Sequence, residues 1–218
     1  MTSARTAETI RAAFRAIPKE RREVRQPFAI RVWRGLSWLE RAEQAAEVED
    51  QFIALWIAFN ALYGRQDVAD HLWTERKAYC EFLGTAWRLD GGGLLRSCLK
   101  SRQTAVLGII GNKFLCREFW ESPRDNHDKR LSEHVRTLLA GYNGRNMLPV
   151  LTELFDRLYV MRVQVFHGAS TKGSKLNRRT LKQCTSLLAD FIPALLTIMI
   201  ESGIDVDWGD VCFPPLEG

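Results

Sequence analysis

The feature that most constrains the fold of this chain is a helical spacing of apolar residues along most of its length. In the stretch QFIALWIAFNALYG, residues 51–64, apolar side chains recur at steps of three and four, which is the period of an α-helix. The stretch is apolar nearly all round, so we expect a central helix, and Gly64 is a typical residue to end it. The sequence contains no useful run of alternating apolar and polar residues and no internal repeat. It therefore predicts an all-α bundle.

Similar spacing predicts further helices on both sides. They cover about residues 27–47, 67–89, 94–120 with a break near 108–112, 131–140, 147–166 and 178–201. Pro27 suits the first turn of a helix, whereas Pro193 is expected to bend or interrupt the last one. Residues 121–130 read as a loop, and Trp208 and Phe213 are expected to pack back onto the bundle.

These helices predict one helical domain over residues 1–218. Its core would comprise residues 27–65 and 147–203, with a helical insertion at 67–145 and an irregular tail at 204–218. The five cysteines contain no Cys-x-x-Cys spacing, so neither a zinc site nor a disulfide framework is indicated. The Arg-rich N-terminus has no apolar segment typical of a secretory signal, and the apolar run FIPALLTIMI is shorter than the roughly 20 residues that span a bilayer. We expect a cytoplasmic, reduced protein without a membrane partner.

Positive charge is concentrated around one part of the sequence. The formal net charge is +5, and residues 157–182 contain seven Lys or Arg and no acidic residue. This distribution favours an anionic partner, although a basic run is also common on a solvated helix face.

The stretch RVQVFHG, residues 162–168, places Arg162 and His167 at the end of an apolar helix. We call this stretch the Arg–His motif. Residues five apart on a regular helix point about 140° away from each other. The two side chains can meet only if the last turn unwinds before Gly168, or if the motifs of two chains face each other across a dimer interface. An ordinary helix end is the alternative, in which the histidine satisfies the last carbonyls and Arg162 pairs with Asp156.

The two side chains supply groups that RNA cleavage needs. An imidazole ordinarily titrates near neutral pH and can move protons on the 2′-hydroxyl and on the leaving 5′-oxygen. A guanidinium has a fixed charge and can hold the phosphate as negative charge builds up in the transition state. This chemistry needs no metal ion, and the sequence has no cluster of carboxylates beside the motif. We therefore expect no metal and no other cofactor.

The Arg–His motif resembles the Arg-x4–6-His signature of the HEPN superfamily of helical-bundle proteins. WRGLSWLERAEQ followed by DQFIALWIAFNALYG is similar to the two N-terminal helices of one branch of that superfamily. LNRRTLKQCTSLLADFIPALL follows the motif in the corresponding order. The resemblance covers roughly residues 30–65 and 147–200.

This resemblance implies a metal-independent endoribonuclease, usually a homodimer with composite sites, whose product ends in a 2′,3′-cyclic phosphate. Such proteins commonly act as toxins, abortive-infection effectors or other antiviral nucleases in prokaryotes, so RNA and an antitoxin or defence-system protein are implied partners. His167 would be the acid and base, and Arg162 would bind the phosphate. Active members often have Asn, His or Asp after the arginine, whereas this chain has Val163. That difference favours the alternative of a catalytically silent module that dimerises and binds RNA, a nucleotide or a partner protein.

Cations that follow the motif are candidate RNA-binding residues. They are Lys172, Lys175, Arg178 and Arg179. A cation at a helix N-terminus interacts unfavourably with the helix dipole, so helix stability does not explain these residues. Solubility is the alternative explanation for them.

Two polar residues are candidate supporting residues for the motif. Asn60 is the lone polar residue in LWIAFNALY and would either bond helix backbone or position Arg162 or His167. Asp50 would cap its helix, lie in the first turn, or serve the same supporting role. The other histidines, His71, His127 and His134, have no metal-ligand companions at useful spacing.

Overall fold

The computed structural model describes residues 5–65, 72–121, 127–142, 146–169, 173 and 177–213. Within these ranges the secondary structure is helical apart from an isolated bridge between Arg65 and Val211, which confirms the all-α class. The α-helices are α1 Ala7–Ala16, α2 Lys19–Val24, α3 Gln26–Glu43, α4 Val48–Tyr63, α5 Leu72–Leu89, α6 Leu94–Ser101, α7 Gln103–Ile110, α8 Arg117–Glu121, α9 His127–Tyr142, α10 Leu148–Phe166 and α11 Arg178–Ser202. A 3-10 helix covers Lys113–Leu115.

The chain divides into two compact units. The first comprises residues 1–95 and 188–218, and the second comprises residues 96–187. The single-domain organisation stays a prediction, and each unit is described by itself below.

Several helix boundaries follow from local signals, and several do not. Pro27 lies in the first turn of α3 and Gly64 follows the end of α4, as predicted. Residues 127–130 were expected in a loop but begin α9, because charged residues such as Lys129 and Arg130 are also compatible with the solvated face of a helix. The helices α1 and α2 were not predicted.

Pro193 does not interrupt the last helix, whereas the expected bend there stays a prediction. Helix α11 continues through Pro193 without interruption, although proline removes a backbone donor from the helix. Its neighbours Ile192 and Ala194 are fully buried, so packing on both sides holds the helical path. Phe213 was misplaced, since it is 82% exposed, whereas Trp208 is buried as expected.

The core of the first unit is built around α3 and α4. The three- and four-residue spacing of apolar residues in 27–47 predicts one buried stripe, and four of its five members are buried: Phe28, Val32, Leu36 and Leu39. The fifth, Ala46, lies beyond the end of α3 and is exposed. Gly35 allows α3 to approach α4 closely, because a Cβ atom there would lie 2.7 Å from Leu62 Cδ2. This contact explains a glycine in the middle of a helix, where it otherwise costs about 1 kcal/mol.

Arg31 is a buried cation that joins α3 to two other segments of the first unit. Its side chain is 1% exposed. The guanidinium donates hydrogen bonds to the carbonyl oxygens of Leu62 and Gly64 at the end of α4, and to those of three residues in the tail. The tail acceptors are Trp208, Gly209 and Asp210, at 3.1, 3.0 and 2.9 Å. Burial lowers the pKa of Arg31 to about 10, so the side chain stays protonated at neutral pH.

The core of the second unit lies along α10. The apolar spacing in 147–166 predicts a core face that includes Leu151, Leu154, Phe155 and Leu158, and all four are fully buried. Leu148 and Val165, which were expected with them, are half-buried because they lie near the two ends of the helix. Helices α7 and α9 and the 3-10 helix pack against α10.

Helix α11 is long and apolar enough to cross a membrane by length and composition alone. Its most apolar 18-residue window has a mean hydropathy of 1.6, but 72% of that window is buried inside the protein. Since a core helix passes the same test, this burial favours a packing role for α11.

Candidate functional site

The Arg–His motif forms the C-terminal end of α10. The helix keeps its regular path through Phe166, and the backbone N–H of His167 still donates to the Val163 carbonyl. Gly168 has a φ of +66°, a conformation that favours glycine. The N–H groups of Gly168 and Ala169 donate to the carbonyls of Val165 and Gln164, which is the Schellman arrangement. Gly168 therefore has a structural role in ending the helix.

Arg162 lies between two aromatic rings on one side of α10. Its guanidinium carbon is 5.7 Å from the centroid of the Tyr159 ring and 5.0 Å from that of Phe166. These residues lie three positions before and four positions after it, so all three share a helix face. Arg162 Nε is buried and has no hydrogen-bond partner. Because Nε is closed to solvent, an anionic ligand from outside would meet the two terminal nitrogens of the guanidinium instead.

The expected pairing of Arg162 with Asp156 is not present. In the part of the chain that the structure describes, Arg162 forms no ion pair. His167 is exposed at the end of the helix rather than buried. Both observations are compatible with a functional motif. They exclude the alternative in which Arg162 is paired with Asp156 at an ordinary helix end.

The structure does not bring Arg162 and His167 together within one chain. The last turn of α10 does not unwind before Gly168, so the first of the two expected routes to convergence is excluded. The two side chains leave the helix about 140° apart. A site that uses both of them therefore needs a second copy of the chain.

The two residues that follow Arg162 have different roles. Val163 is half-buried. It lies at the position where active members of the HEPN superfamily, which the motif resembles, often have a polar residue. Gln164 instead donates from Nε2 to the carbonyl oxygen of Phe114, at 2.7 Å. This bond fixes the 3-10 helix to the side of α10 that carries His167, because Gln164 and His167 are three positions apart.

A cleft in the second unit collects positive charge. Four cations and three small or polar residues line this cationic cleft of about 530 Å³: Arg102, Arg178, Arg179, Lys182, Ala105, Gln183 and Ser186. No acidic side chain is among them, and Arg102 donates a hydrogen bond to Ser186. Arg178 and Arg179, predicted to bind RNA, thus lie in one cleft.

The sequence reasoning missed Arg102 and Lys182 in this cleft. Lys182 lies on α11 one turn after Arg178, so helix periodicity could have found it, but Arg102 comes from a distant stretch. The predicted Lys172 and Lys175 lie outside the described residues, as does His71.

The two supporting candidates lie in the first unit. Asn60 is half-buried, and its Oδ1 accepts a hydrogen bond from the Tyr63 hydroxyl rather than bonding helix backbone. Asp50 lies in the first turn of α4 and is exposed, whereas the capping position is occupied by Glu47. Their proposed support of Arg162 and His167 stays a prediction.

Comparison with protein-family models, with curated proteins and with solved structures finds no match to this chain. Among the described residues, no three His, Cys, Asp or Glu side chains are grouped so that they could hold a metal ion. The resemblance to the HEPN superfamily therefore rests on the Arg–His motif and on the order of the helices.

Proposed function

We propose that this protein is a metal-independent endoribonuclease that works as a homodimer and uses the Arg–His motifs of both copies. The observation that carries the proposal is the state of Arg162, a half-buried guanidinium that lies against two aromatic rings and has no ion pair in the described structure. A cation held in this way is suited to an anion that arrives from outside the chain. The exposed His167 is free to reach a second copy.

In the proposed reaction the 2′-oxygen attacks the phosphorus as the bond to the 5′-oxygen breaks. The products are a 2′,3′-cyclic phosphate and a free 5′-hydroxyl. The His167 imidazole takes the proton of the 2′-hydroxyl, and the imidazolium that forms returns this proton to the leaving 5′-oxygen. Arg162 holds the non-bridging phosphate oxygens, on which negative charge increases. A toxin or antiviral role, with an antitoxin or defence-system partner, belongs to the same proposal and rests on the superfamily resemblance.

Purified protein should cleave labelled RNA in the presence of EDTA, and His167→Ala should lower the rate by about 10³-fold, since general acid–base catalysis contributes 10²–10⁴-fold. Arg162→Ala should lower it by about 10²–10³-fold, as for other phosphate or oxyanion donors. Arg136→Ala, which removes an exposed cation on α9, is the matched control and should not change the rate. The 2′,3′-cyclic phosphate is identified by mass spectrometry.

Cleavage that persists in both variants would place the chemistry elsewhere or in a contaminant. Binding of RNA by the wild type without any cleavage would instead support the second candidate, a silent RNA-binding module. Val163 favours that candidate, because it provides no polar group to orient the neighbouring arginine.

The cationic cleft is the proposed path of the RNA backbone. Arg179→Ala combined with Lys182→Ala should weaken RNA binding uniformly across sequences, and should reduce the slope of log K against log salt by about 1.4, because each phosphate contact on a single strand contributes roughly 0.7. Fluorescence anisotropy at several salt concentrations measures both quantities. An unchanged slope, equal to that of the control Lys100→Ala, would mean that RNA does not follow this cleft.

A further inference from the structure

A second pocket in the described structure contains a histidine that the proposed ribonuclease reaction does not use. It has a volume of about 250 Å³ and lies between the α9 region and α10. We call it the His134 pocket. The lining residues that can bind an anion are Lys113, Arg130 and His134. Glu118 also lines it, and so do the ion-paired Glu153 and Arg157.

The position of His134 is set by a chain of charged contacts. Arg157 is buried, its guanidinium donates to the carbonyls of Ile110 and Leu115, and it forms an ion pair of 2.5 Å with Glu153. The other carboxylate oxygen of Glu153 lies 3.3 Å from His134 Nε2. The second ring nitrogen, Nδ1, has no partner in the described residues. A carboxylate at Nε2 and a phosphate at Nδ1 are both acceptors, so the ring would bind the two together as an imidazolium, with an N–H donor on each nitrogen.

The charge in the pocket suits a phosphate. Arg157 neutralises Glu153, so Lys113 and Arg130 outnumber the remaining carboxylate, Glu118. Cys116 also lines the pocket, but burial raises the pKa of its thiol, so it stays protonated and is not a nucleophile. The pocket is therefore better suited to binding an anion than to covalent chemistry at sulfur.

An exposed aromatic cluster adjoins the pocket. It consists of Phe114, Phe119 and Trp120, whose ring centroids lie 5.3–6.4 Å apart. Phe114 is 44% exposed and Trp120 is 54% exposed. Lys113 connects the two features, because it lines the pocket and its Nζ is 5.8 Å from the centroids of both phenylalanine rings.

The aromatic cluster is held in place by directed bonds. The carbonyl oxygen of Phe114 accepts from Trp120 Nε1 at 2.9 Å and from Gln164 Nε2 at 2.7 Å. A fixed, exposed ring beside cations is a suitable stacking surface for a nucleobase, since every base has a π face.

We propose that the His134 pocket and the aromatic cluster together bind a nucleoside phosphate. The phosphate lies against Lys113, Arg130 and His134 Nδ1, and the base stacks on Phe114 or Trp120. The ligand is either a free nucleotide or the phosphorylated end of an RNA strand. Binding does not depend on cleavage at His167, so it can be measured on a protein without catalytic activity.

Isothermal titration calorimetry with the His167→Ala protein tests the proposal. AMP should bind more tightly than adenosine or inorganic phosphate, because only AMP occupies both features. Arg130→Ala and Trp120→Ala should each weaken AMP binding by about 5- to 100-fold, which is the range for loss of one stacked base or one charge-assisted contact. Lys129→Ala and Trp38→Ala, which alter an exposed neighbour on α9 and an exposed tryptophan of the first unit, should leave it unchanged.

The titration is repeated with a 5′-phosphorylated trinucleotide RNA to distinguish the two sources. If AMP binds and Arg130→Ala and Trp120→Ala each weaken its binding, the ligand is a free nucleotide. If only the trinucleotide binds, and the same two substitutions weaken its binding, the ligand is the end of an RNA strand. The proposal is wrong if neither probe binds, or if both bind Arg130→Ala and Trp120→Ala as tightly as the parent protein. Because binding is read directly, absence of ribonuclease activity in the wild type would overturn the proposed function without affecting this result.

Discussion

Mixed dimers of Arg162→Ala and His167→Ala chains should recover about half of the wild-type cleavage rate, although each variant alone is inactive. The reason is the geometry of α10, which stays regular through Phe166 and so directs the two side chains about 140° apart. A site must then combine Arg162 of one copy with His167 of the other. In a mixed dimer one of the two sites has both groups and the other has neither. The recovered rate reports directly on which chain supplies each group.

Co-expression of the two variants with different affinity tags allows the mixed dimer to be purified in two steps. Cleavage of labelled RNA is then compared with that of wild-type dimers carrying the same tags. A chain carrying both substitutions, paired with either single variant, is the control and should stay inactive. A mixed dimer as inactive as the single variants would show that the two groups act within one chain or that the site needs all four of them.

Arg31→Met should destabilise the protein by about 3–5 kcal/mol, which is near the upper end of single-substitution effects. The methionine keeps most of the apolar length of the side chain but donates none of the hydrogen bonds to the carbonyls of α4 and the tail. Carbonyls that stay buried without a donor each cost about 1–3 kcal/mol, although those near the surface can regain water. The loss is measured by urea unfolding followed by circular dichroism.

Arg34→Met is the matched control on the same helix. Among the described residues, Arg34 donates to the carbonyls of Cys212 and Phe213, and Phe213 is exposed, so we expect a loss of about 1 kcal/mol, the usual net value of a hydrogen bond. Limited proteolysis should also cut the tail of Arg31→Met faster than that of Arg34→Met. A loss below about 1 kcal/mol for Arg31→Met would mean that water replaces the guanidinium at the tail carbonyls.

Local signals were sufficient for most of the helices. The spacing of apolar residues in α4 and α10 is a property of neighbouring positions, and the glycines that follow them end a helix wherever they occur. For the same reason the sequence identified Arg162, His167 and Gly168 as a helix end. The uninterrupted path of α11 through Pro193 could not be predicted, because it depends on the burial of Ile192 and Ala194 in the folded chain.

The candidate sites were only partly visible in the sequence. Arg178 and Arg179 were noted because they lie in a basic run, but Arg102 joins them in the cationic cleft from about 75 positions away. His134 was dismissed for want of companions nearby in the sequence, and its partner Glu153 lies on another helix.

By itself, the sequence determined the all-α class, the helices with strong periodicity and the presence of an arginine and a histidine at the end of α10. These depend on steps of three to five residues, over which a helix has a known geometry. Only the tertiary structure decided that Arg162 has no ion pair in the described chain, that Arg31 holds the tail, and that Lys113, His134 and Trp120 surround one pocket and its rim. Such contacts join residues far apart in sequence, and burial, which sets their energy, is a property of the folded chain.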